Sequence, residues 1–334
     1  MVDSLGCAQH QSLPSVILLL GPTASGKTDV ALRIAERLPV EIISVDSAQV
    51  YRQMDIGSAK PSVDVLNSVP HWLINIADPS EIYSAAKFVD DARGAIVDIV
   101  NRGKIPLLVG GSMMYFHVLL SGLTELPEAD MALRSRLKAR VDAEGIESLY
   151  RQLQEVDPLS AKGLHPHQGQ RIQRALEVFE ITGQPLSSFH KTAAGRGLAA
   201  DYRVHQFGLW PSERGLLHRR IEARFLSMMA RGLYAEVQAL YGRGDLHSEL
   251  PSIRSVGYRQ LWDCIKNCGS EAEAVERGII ATRQLAKRQL TWMRRWSDLQ
   301  LLPVDDGSKM FEVKKIAEKC LKKLLTTPNS LKVD

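Results

Sequence analysis

The stretch Gly21-Pro22-Thr23-Ala24-Ser25-Gly26-Lys27-Thr28 has the residue types and spacing needed to hold a phosphate group. Gly21 and Gly26 bracket four residues, so the backbone can curl until several N–H groups face one anion. Lys27 adds a full positive charge, a helix N-terminus adds a partial one, and the Thr28 hydroxyl can reach a Mg²⁺ ion carried by the same phosphates. The loop follows the apolar run Val16-Ile17-Leu18-Leu19-Leu20 and opens the helical pattern Val30, Ala31, Leu32, Ile34, Ala35, Leu38. Buried strand, tight turn and helix are the context a phosphate loop requires. A di- or triphosphate ligand is therefore expected.

Two further features bear on what is done with that ligand. The β-branched run Val40-Glu41-Ile42-Ile43-Ser44-Val45 reads as a second buried strand ending at Asp46-Ser47. Ligands of open α/β sheets lie beyond the carboxyl ends of the strands, which puts Asp46 on the rim of the phosphate loop. As a bare residue it is equally a cap or turn carboxylate. The strand Ile105–Val109 ends in Gly110-Gly111-Ser112, where most phosphate-loop NTPases carry an acid that helps to hold Mg²⁺. That speaks against an ordinary ATPase or GTPase. Arg220 and Arg224, four apart on one helix, are placed as a cationic clamp opposite the loop.

The elements that must position these groups follow from the pattern. With 334 residues the chain suits one large α/β domain with an insertion, or two domains. Residues 51–70 read as loop, His71–Ala77 as a strand and Ser84–Arg102 as a helix. From about Ser121 the βα rhythm stops, and Ala129–Ala143, Ile146–Val156 and Arg171–Thr182 read as three helices with breaks at Asp157-Pro158 and Gly163–Gly169. A helical insertion over 119–200 is expected, inside an α/β core formed by 14–118 and 201–326. The strand pattern resumes at Tyr202–Trp210, and the tail beyond Leu325 is expected to fray. No signal-peptide layout precedes Pro14 and no segment reaches transmembrane length, so a cytoplasmic protein is expected. Cys7, Cys264, Cys268 and Cys320 are scattered and read as free thiols, without a second pair to complete a zinc site.

The net charge of +4 is modest, so a nucleic-acid surface must come from local clustering. Arg277–Trp296 contains Arg277, Arg283, Lys287, Arg288, Arg294 and Arg295 and no acidic residue. At about 100° per residue, Ile279, Leu285, Ala286, Leu290, Trp292, Met293 and Trp296 gather on one side and the cations on the other. Such a one-signed stripe suits phosphate contact. Gln170-Arg171-Ile172-Gln173-Arg174 is a second cluster. Arg254-Ser255-Val256-Gly257-Tyr258-Arg259 mixes Arg, Gly and Tyr as in loops that hold phosphates or stack on bases.

The motifs resemble, in order, those of the bacterial tRNA dimethylallyltransferases (isopentenyl-tRNA transferases). They comprise the phosphate loop at 21–28, Asp-Ser-Ala-Gln-Val-Tyr-Arg at 46–52, Met-Asp-Ile-Gly-Ser-Ala-Lys-Pro at 54–61 and Val-Gly-Gly-Ser at 109–112. Arg-Ala-Leu-Glu-Val follows at 174–178, Arg-Ile-Glu-Ala-Arg-Phe at 220–225, Leu-Pro-Ser-Ile-Arg-Ser-Val-Gly-Tyr-Arg-Gln at 250–260 and Thr-Arg-Gln-Leu-Ala-Lys-Arg-Gln at 282–289. The resemblance spans nearly all of Pro14–Trp296. It implies a P-loop-type parallel-sheet core with an inserted all-helical domain, working as a monomer. It also implies transfer of a dimethylallyl group from dimethylallyl diphosphate to N6 of the adenosine just 3′ of the anticodon in tRNA. By this likeness Asp46 is the general base, residues 21–28 and Arg224 hold the diphosphate, and Thr28 meets Mg²⁺. Contacts to tRNA fall to Asp46, Ser47, Ala48, Gln49, Ser112, Arg134, the 170–174 and 254–259 runs, Arg283, Lys287 and Arg288. Ser112 stands where the family usually has Thr and keeps the hydroxyl. His167-Gln168-Gly169 replaces the frequent Asn-Asp-Pro before the third insertion helix.

This chemistry accounts for the missing acid, because no water has to be aimed at a γ-phosphate. Loop amides, Lys27, Arg224 and Mg²⁺ would meet the charge on a departing diphosphate. A carboxylate would take the proton of an adenine N6, a poor nucleophile whose lone pair is delocalised. The base must leave its stack to get there, which an anticodon loop permits. A nucleotide or small-molecule kinase is the alternative enzyme, and a nucleotide-sensing RNA-binding switch the alternative outside catalysis.

Overall fold

The computed structural model describes residues 13–123, 126–192 and 196–326. In chain order its elements are β1 (Ser15–Leu20), α1 (Lys27–Ala35), β2 (Val40–Val45), α2 (Val63–Ser68), β3 (His71–Trp72), α3 (Ala85–Asn101), β4 (Ile105–Gly110) and α4 (Met113–Ser121). Then come α5 (Met131–Glu144), α6 (Ile146–Val156), α7 (Pro158–Lys162), α8 (Gly169–Thr182) and α9 (Leu186–Thr192). The chain closes with β5 (Arg203–Trp210), α10 (Arg214–Ala230), α11 (Leu233–Gly242), α12 (Tyr258–Lys266), α13 (Glu271–Arg294), β6 (Gln300–Pro303) and α14 (Val313–Thr326). It divides into two compact units, one running to Val118 and resuming at Ala199, the other Leu119–Leu198.

The first unit is built on one sheet of order β3-β2-β4-β1-β5-β6, parallel at every pairing. This is the α/β core expected of the sequence. Val16–Leu20 lie buried in β1 because that strand is central and covered on both faces. Register then dictates the site. Leu20 pairs with Gly110, and Gly110 pairs with Val45. The next residues, Gly21, Gly111 and Asp46, therefore leave the sheet side by side. At ~4.8 Å per strand, the loop and the carboxylate start roughly 10 Å apart.

Some elements depart from expectation. Only His71–Trp72 of the 71–77 run pairs as strand, because Leu73 and Asn75 adopt positive φ (62° and 59°), which ends an extended segment. The 51–70 segment contains α2, whose N-cap Ser62 accepts from Val65 N. The strand β6 and the helix α14 complete the core: Ile316, Ala317, Cys320 and Leu324 pack with Val30, Ala31, Ile34 and Leu302. Cys264, Cys268 and Cys320 are free; Cys7 and the tail beyond Thr326 lie outside the described residues. Among the described residues no helix is long and apolar enough to cross a membrane.

Among its described residues the second unit has helices and no strand. Leu133, Leu137, Leu149, Leu153, Ile172 and Leu176 form its core. The Asp157-Pro158 break proves to be a helix start: Pro158 opens α7, and Asp157 accepts from Ser160 N at 3.0 Å. At α8 the N-cap is Gln168, which makes no side-chain cap bond.

Candidate active site

Between β1 and α1 the loop turns through two left-handed residues, Ala24 (φ 62°) and the N-cap Gly26 (φ 87°). Glycine supplies that conformation at Gly26 without steric cost. The loop carbonyls are held by cations: Lys27 Nζ donates to Pro22 O at 2.7 Å, and Arg220 Nε donates to Ala24 O at 2.9 Å. Ser25 is buried, and its Oγ makes no hydrogen bond among the described residues. An unpaired buried hydroxyl in such a loop fits an anionic ligand that would engage it. Burial, and then the neighbouring Arg224 guanidinium, pull the Lys27 ammonium down to about 7, with Asp46 opposing. Arg224 is likewise pulled down by burial, with Asp46 opposing and Arg220 adding to the effect. Three cations thus crowd one loop, answered by the carboxylate of Asp46 and, at Arg224, by that of Asp29. An arriving diphosphate would relieve that crowding.

The carboxylate divides its two oxygens. Asp46 Oδ1 accepts from Ala48 N at 2.9 Å and Gln49 N at 3.3 Å, the work of a turn former. Oδ2 accepts no hydrogen bond among the described residues, and Asp46 lines the cleft. Beside it, Ser112 Oγ accepts from Ser47 N at 3.1 Å, and Ser112 N donates to Val45 O at 3.2 Å. Gln49 bonds Ser44 Oγ and reaches Ser58 O and Ala59 O, tying the turn to the next loop. Loop, carboxylate, Ser112 and Arg224 all open on one cleft of about 1080 Å³. That is room for a diphosphate and a purine together.

A family model described as IPP transferase matches residues 49–296, most of the chain. The chain belongs to the IPP transferase family. Among solved structures it is similar to the full-length tRNA isopentenylpyrophosphate transferase of Bacillus halodurans, at 36% identity over 92% of this chain and 94% of that one (TM-score 0.64). The tRNA Δ(2)-isopentenylpyrophosphate transferase of Staphylococcus epidermidis matches at 33% identity over 92% and 97% of the two chains (TM-score 0.64). A eukaryotic dimethylallyltransferase acting on tRNA matches at 27% identity over 89% and 75% (TM-score 0.73).

The cleft of this IPP transferase is also lined by Arg254, Ser255, Val256, Gly257 and Arg288, all expected from the sequence to contact tRNA. Three details correct that expectation. Tyr258 is fully buried and donates to Glu236 Oε1 at 2.6 Å, so its ring supports the loop from beneath and presents no stacking face. Of the α13 cations, Arg277, Lys287, Arg288 and Arg294 are exposed on the side opposite the apolar residues, while Arg283 is half-buried. Arg283 is held by Glu222 of α10 at 2.7 Å, and Arg294 lies over the Trp210 ring. Trp292 is 37% exposed on the cleft, edge-on to His117 at 5.6 Å, because it falls at the margin of the apolar stripe with Leu285 and Arg288. Arg259 is exposed just beyond the cleft-lining run.

The other candidates lie in the helical unit. Arg134 makes a two-pronged bond to the buried Glu177 (2.9 and 3.1 Å), and Arg174 donates to the same carboxylate at 2.7 Å. Although burial works the other way, these guanidiniums hold Glu177 below the ordinary carboxylate range. The Ile172 side chain is core, while Gln170 and Arg171 are exposed and Gln173 is half-buried.

Sequence reasoning missed Glu236, which accepts from Asp55, Ile56 and Gly57 N at 2.9, 2.7 and 3.1 Å and so fixes the loop behind Gln49. It also missed Gln289, a polar residue on the buried face of α13; that mismatch with Ala286, Leu290 and Met293 was the available signal. For a metal, Thr28 offers an exposed hydroxyl oxygen at the first turn of α1, on the cleft. Among the described residues no group of three or more His, Cys, Asp or Glu could hold a metal ion. The donor set fits a Mg²⁺ that arrives with phosphate oxygens and keeps several waters.

Proposed function

We propose that this chain transfers a dimethylallyl group from dimethylallyl diphosphate to N6 of the adenosine 3′-adjacent to the anticodon of tRNA. The coarser part follows from family membership: the chain is a tRNA prenyltransferase. The finer part is carried by one observation. A cationic diphosphate cradle and an unbonded carboxylate oxygen open on the same cleft, with Gly-Gly-Ser and no acid between them. A kinase leaves that carboxylate and Arg224 without a task, and it is not favoured.

In the transfer, the bond from C1 to the diphosphate oxygen breaks while C1 bonds to N6. Lys27, Arg224 and the amides at the start of α1 stabilise the charge on the leaving oxygens. Asp46 Oδ2 takes the N6 proton as the adenine nitrogen becomes cationic. Ser112 and the turn at 46–49 form the wall against which the adenosine is set. Mg²⁺ held by Thr28 and the diphosphate would supply further neutralisation of the leaving group. Lys287, Arg288 and Arg254 would meet flanking tRNA phosphates. In keeping with the family resemblance, the working species is taken as a cytoplasmic monomer.

The test incubates protein, Mg²⁺, dimethylallyl diphosphate and bulk tRNA, then digests the RNA and weighs its nucleosides. Dimethylallyladenosine is expected. Absence of that product, with γ-phosphate transfer from ATP instead, would overturn the proposal.

A further inference from the structure

We infer that Gln289 is a positioning residue that holds the diphosphate cradle in register with the acceptor rim; the inference rests on the transfer proposed above. Gln289 is buried on the face of α13 that carries Ala286, Leu290 and Met293. A carboxamide is costly there unless both of its ends are bonded. Both are. Its Oε1 accepts from Thr23 N at 2.9 Å, and its Nε2 donates to Gly111 O at 2.8 Å. One side chain thus joins the phosphate loop, the turn after β4 and the helix that bears Lys287 and Arg288.

The turn after β4 is itself tied to the carboxylate through Ser112, by its bonds to Val45 O and Ser47 N. A continuous path of hydrogen bonds therefore runs from Thr23 through Gln289, Gly111 and Ser112 to Ser47, beside Asp46. The sheet fixes where the strands end, but the loop at 21–26 steps away from it in irregular backbone with two left-handed residues. It needs a tether of its own. Gly111 leaves no room for anything else in that place: a Cβ would lie 2.4 Å from Gln289 Nε2 and 3.3 Å from Gly21 O. The arrangement also withholds a donor, since Thr23 N–H points at the carboxamide and not at the ligand. A loop built for phosphate gives up an amide only if the contact serves alignment.

Grip on the diphosphate comes from Lys27, Arg224 and the start of α1, and none of these needs Gln289. Alignment of C1 with N6 does need it. The distinguishing variants are Gln289→Met, similar in volume with neither bond, and Gln289→Glu, which keeps the Thr23 acceptor but sets an oxygen against Gly111 O. In both, inorganic pyrophosphate and tRNA affinities should stay within about threefold while the single-turnover rate falls about 10–100-fold, the scale of a misaligned reacting pair. Amide exchange over 21–26 should quicken. A folded variant within about threefold of the wild-type rate, or one that loses pyrophosphate affinity in step with its rate, would overturn the inference. Should Gln289→Met fail to fold, rate and exchange in Gln289→Glu decide the question. If the wild type transfers no prenyl group, the proposed function fails, while the pyrophosphate and exchange measurements still judge the tether.

Discussion

Asp46→Asn separates two roles that the structure assigns to different oxygens of one residue. Oδ1 serves the turn through Ala48 N and Gln49 N, and asparagine retains a carbonyl oxygen for them. What is lost there is the charge assistance of two backbone bonds, a cost of about 1–2 kcal/mol. A shift of a few degrees in melting temperature is expected. At Oδ2 the proton acceptor itself disappears, and a general base contributes ~10²–10⁴ in rate, or about 3–5 kcal/mol of barrier. Electrostatics adds a third expectation. Asp46 opposes the crowding of Lys27 and Arg224, so its neutralisation leaves the cradle more positive, and inorganic pyrophosphate should bind as tightly as before or more so. The assay is single turnover on a preformed enzyme–tRNA complex with saturating dimethylallyl diphosphate, read by mass of the prenylated nucleoside. The folded variant should react at least ~100-fold more slowly with substrate affinities kept. Normal single-turnover chemistry would remove Asp46 from the mechanism and send the proton to water or to the departing diphosphate.

Lys27→Ala and Arg224→Ala should each lower turnover by roughly 10²–10³, the scale for one transition-state charge partner; near wild-type turnover at saturating substrates would refute either role. Because burial and Arg224 hold Lys27 at about 7 while a bound diphosphate favours its charged form, pyrophosphate binding at pH 8 should take up a proton, and affinity should weaken as pH rises above 7. Calorimetry in buffers of different ionisation heat checks this, and equal uptake by Lys27→Met would refute it. The same depression means that the unfolded chain binds the extra proton between about 7 and 10.5, so the ligand-free protein should gain stability as pH rises through that window. Reversing Lys287 and Arg288 to Glu should weaken tRNA binding and flatten its salt dependence while leaving dimethylallyl diphosphate affinity near normal; parallel loss of both affinities would make the helix a support of the fold.

What could be read from the sequence is the chemistry that is local along the chain. The phosphate loop is one contiguous segment, and the position of Asp46 follows from strand ends, which pairing of Val45 with Gly110 and of Gly110 with Leu20 brings to one rim. What could not be read is which charge answers which. Arg134 and Arg174 resemble an RNA-facing pair until the buried Glu177 is placed between them, though Glu177 three residues after Arg174 on the same helix was a visible hint. Arg283 meets Glu222 across 61 residues, and Tyr258 meets Glu236 across 22; no periodicity announces either. The strand β6 is four residues at the sheet edge, too short for an alternation to register. Gln289 belongs to the same class, since its meaning lies in two backbone groups more than 170 residues away. A cation or amide on a helix face therefore predicts a ligand contact only after its intramolecular partners are known. On α13 that leaves the exposed Arg277, Lys287 and Arg288, with Arg288 on the cleft, as the cations best placed to meet RNA, and it assigns Gln289 to the enzyme's own loop.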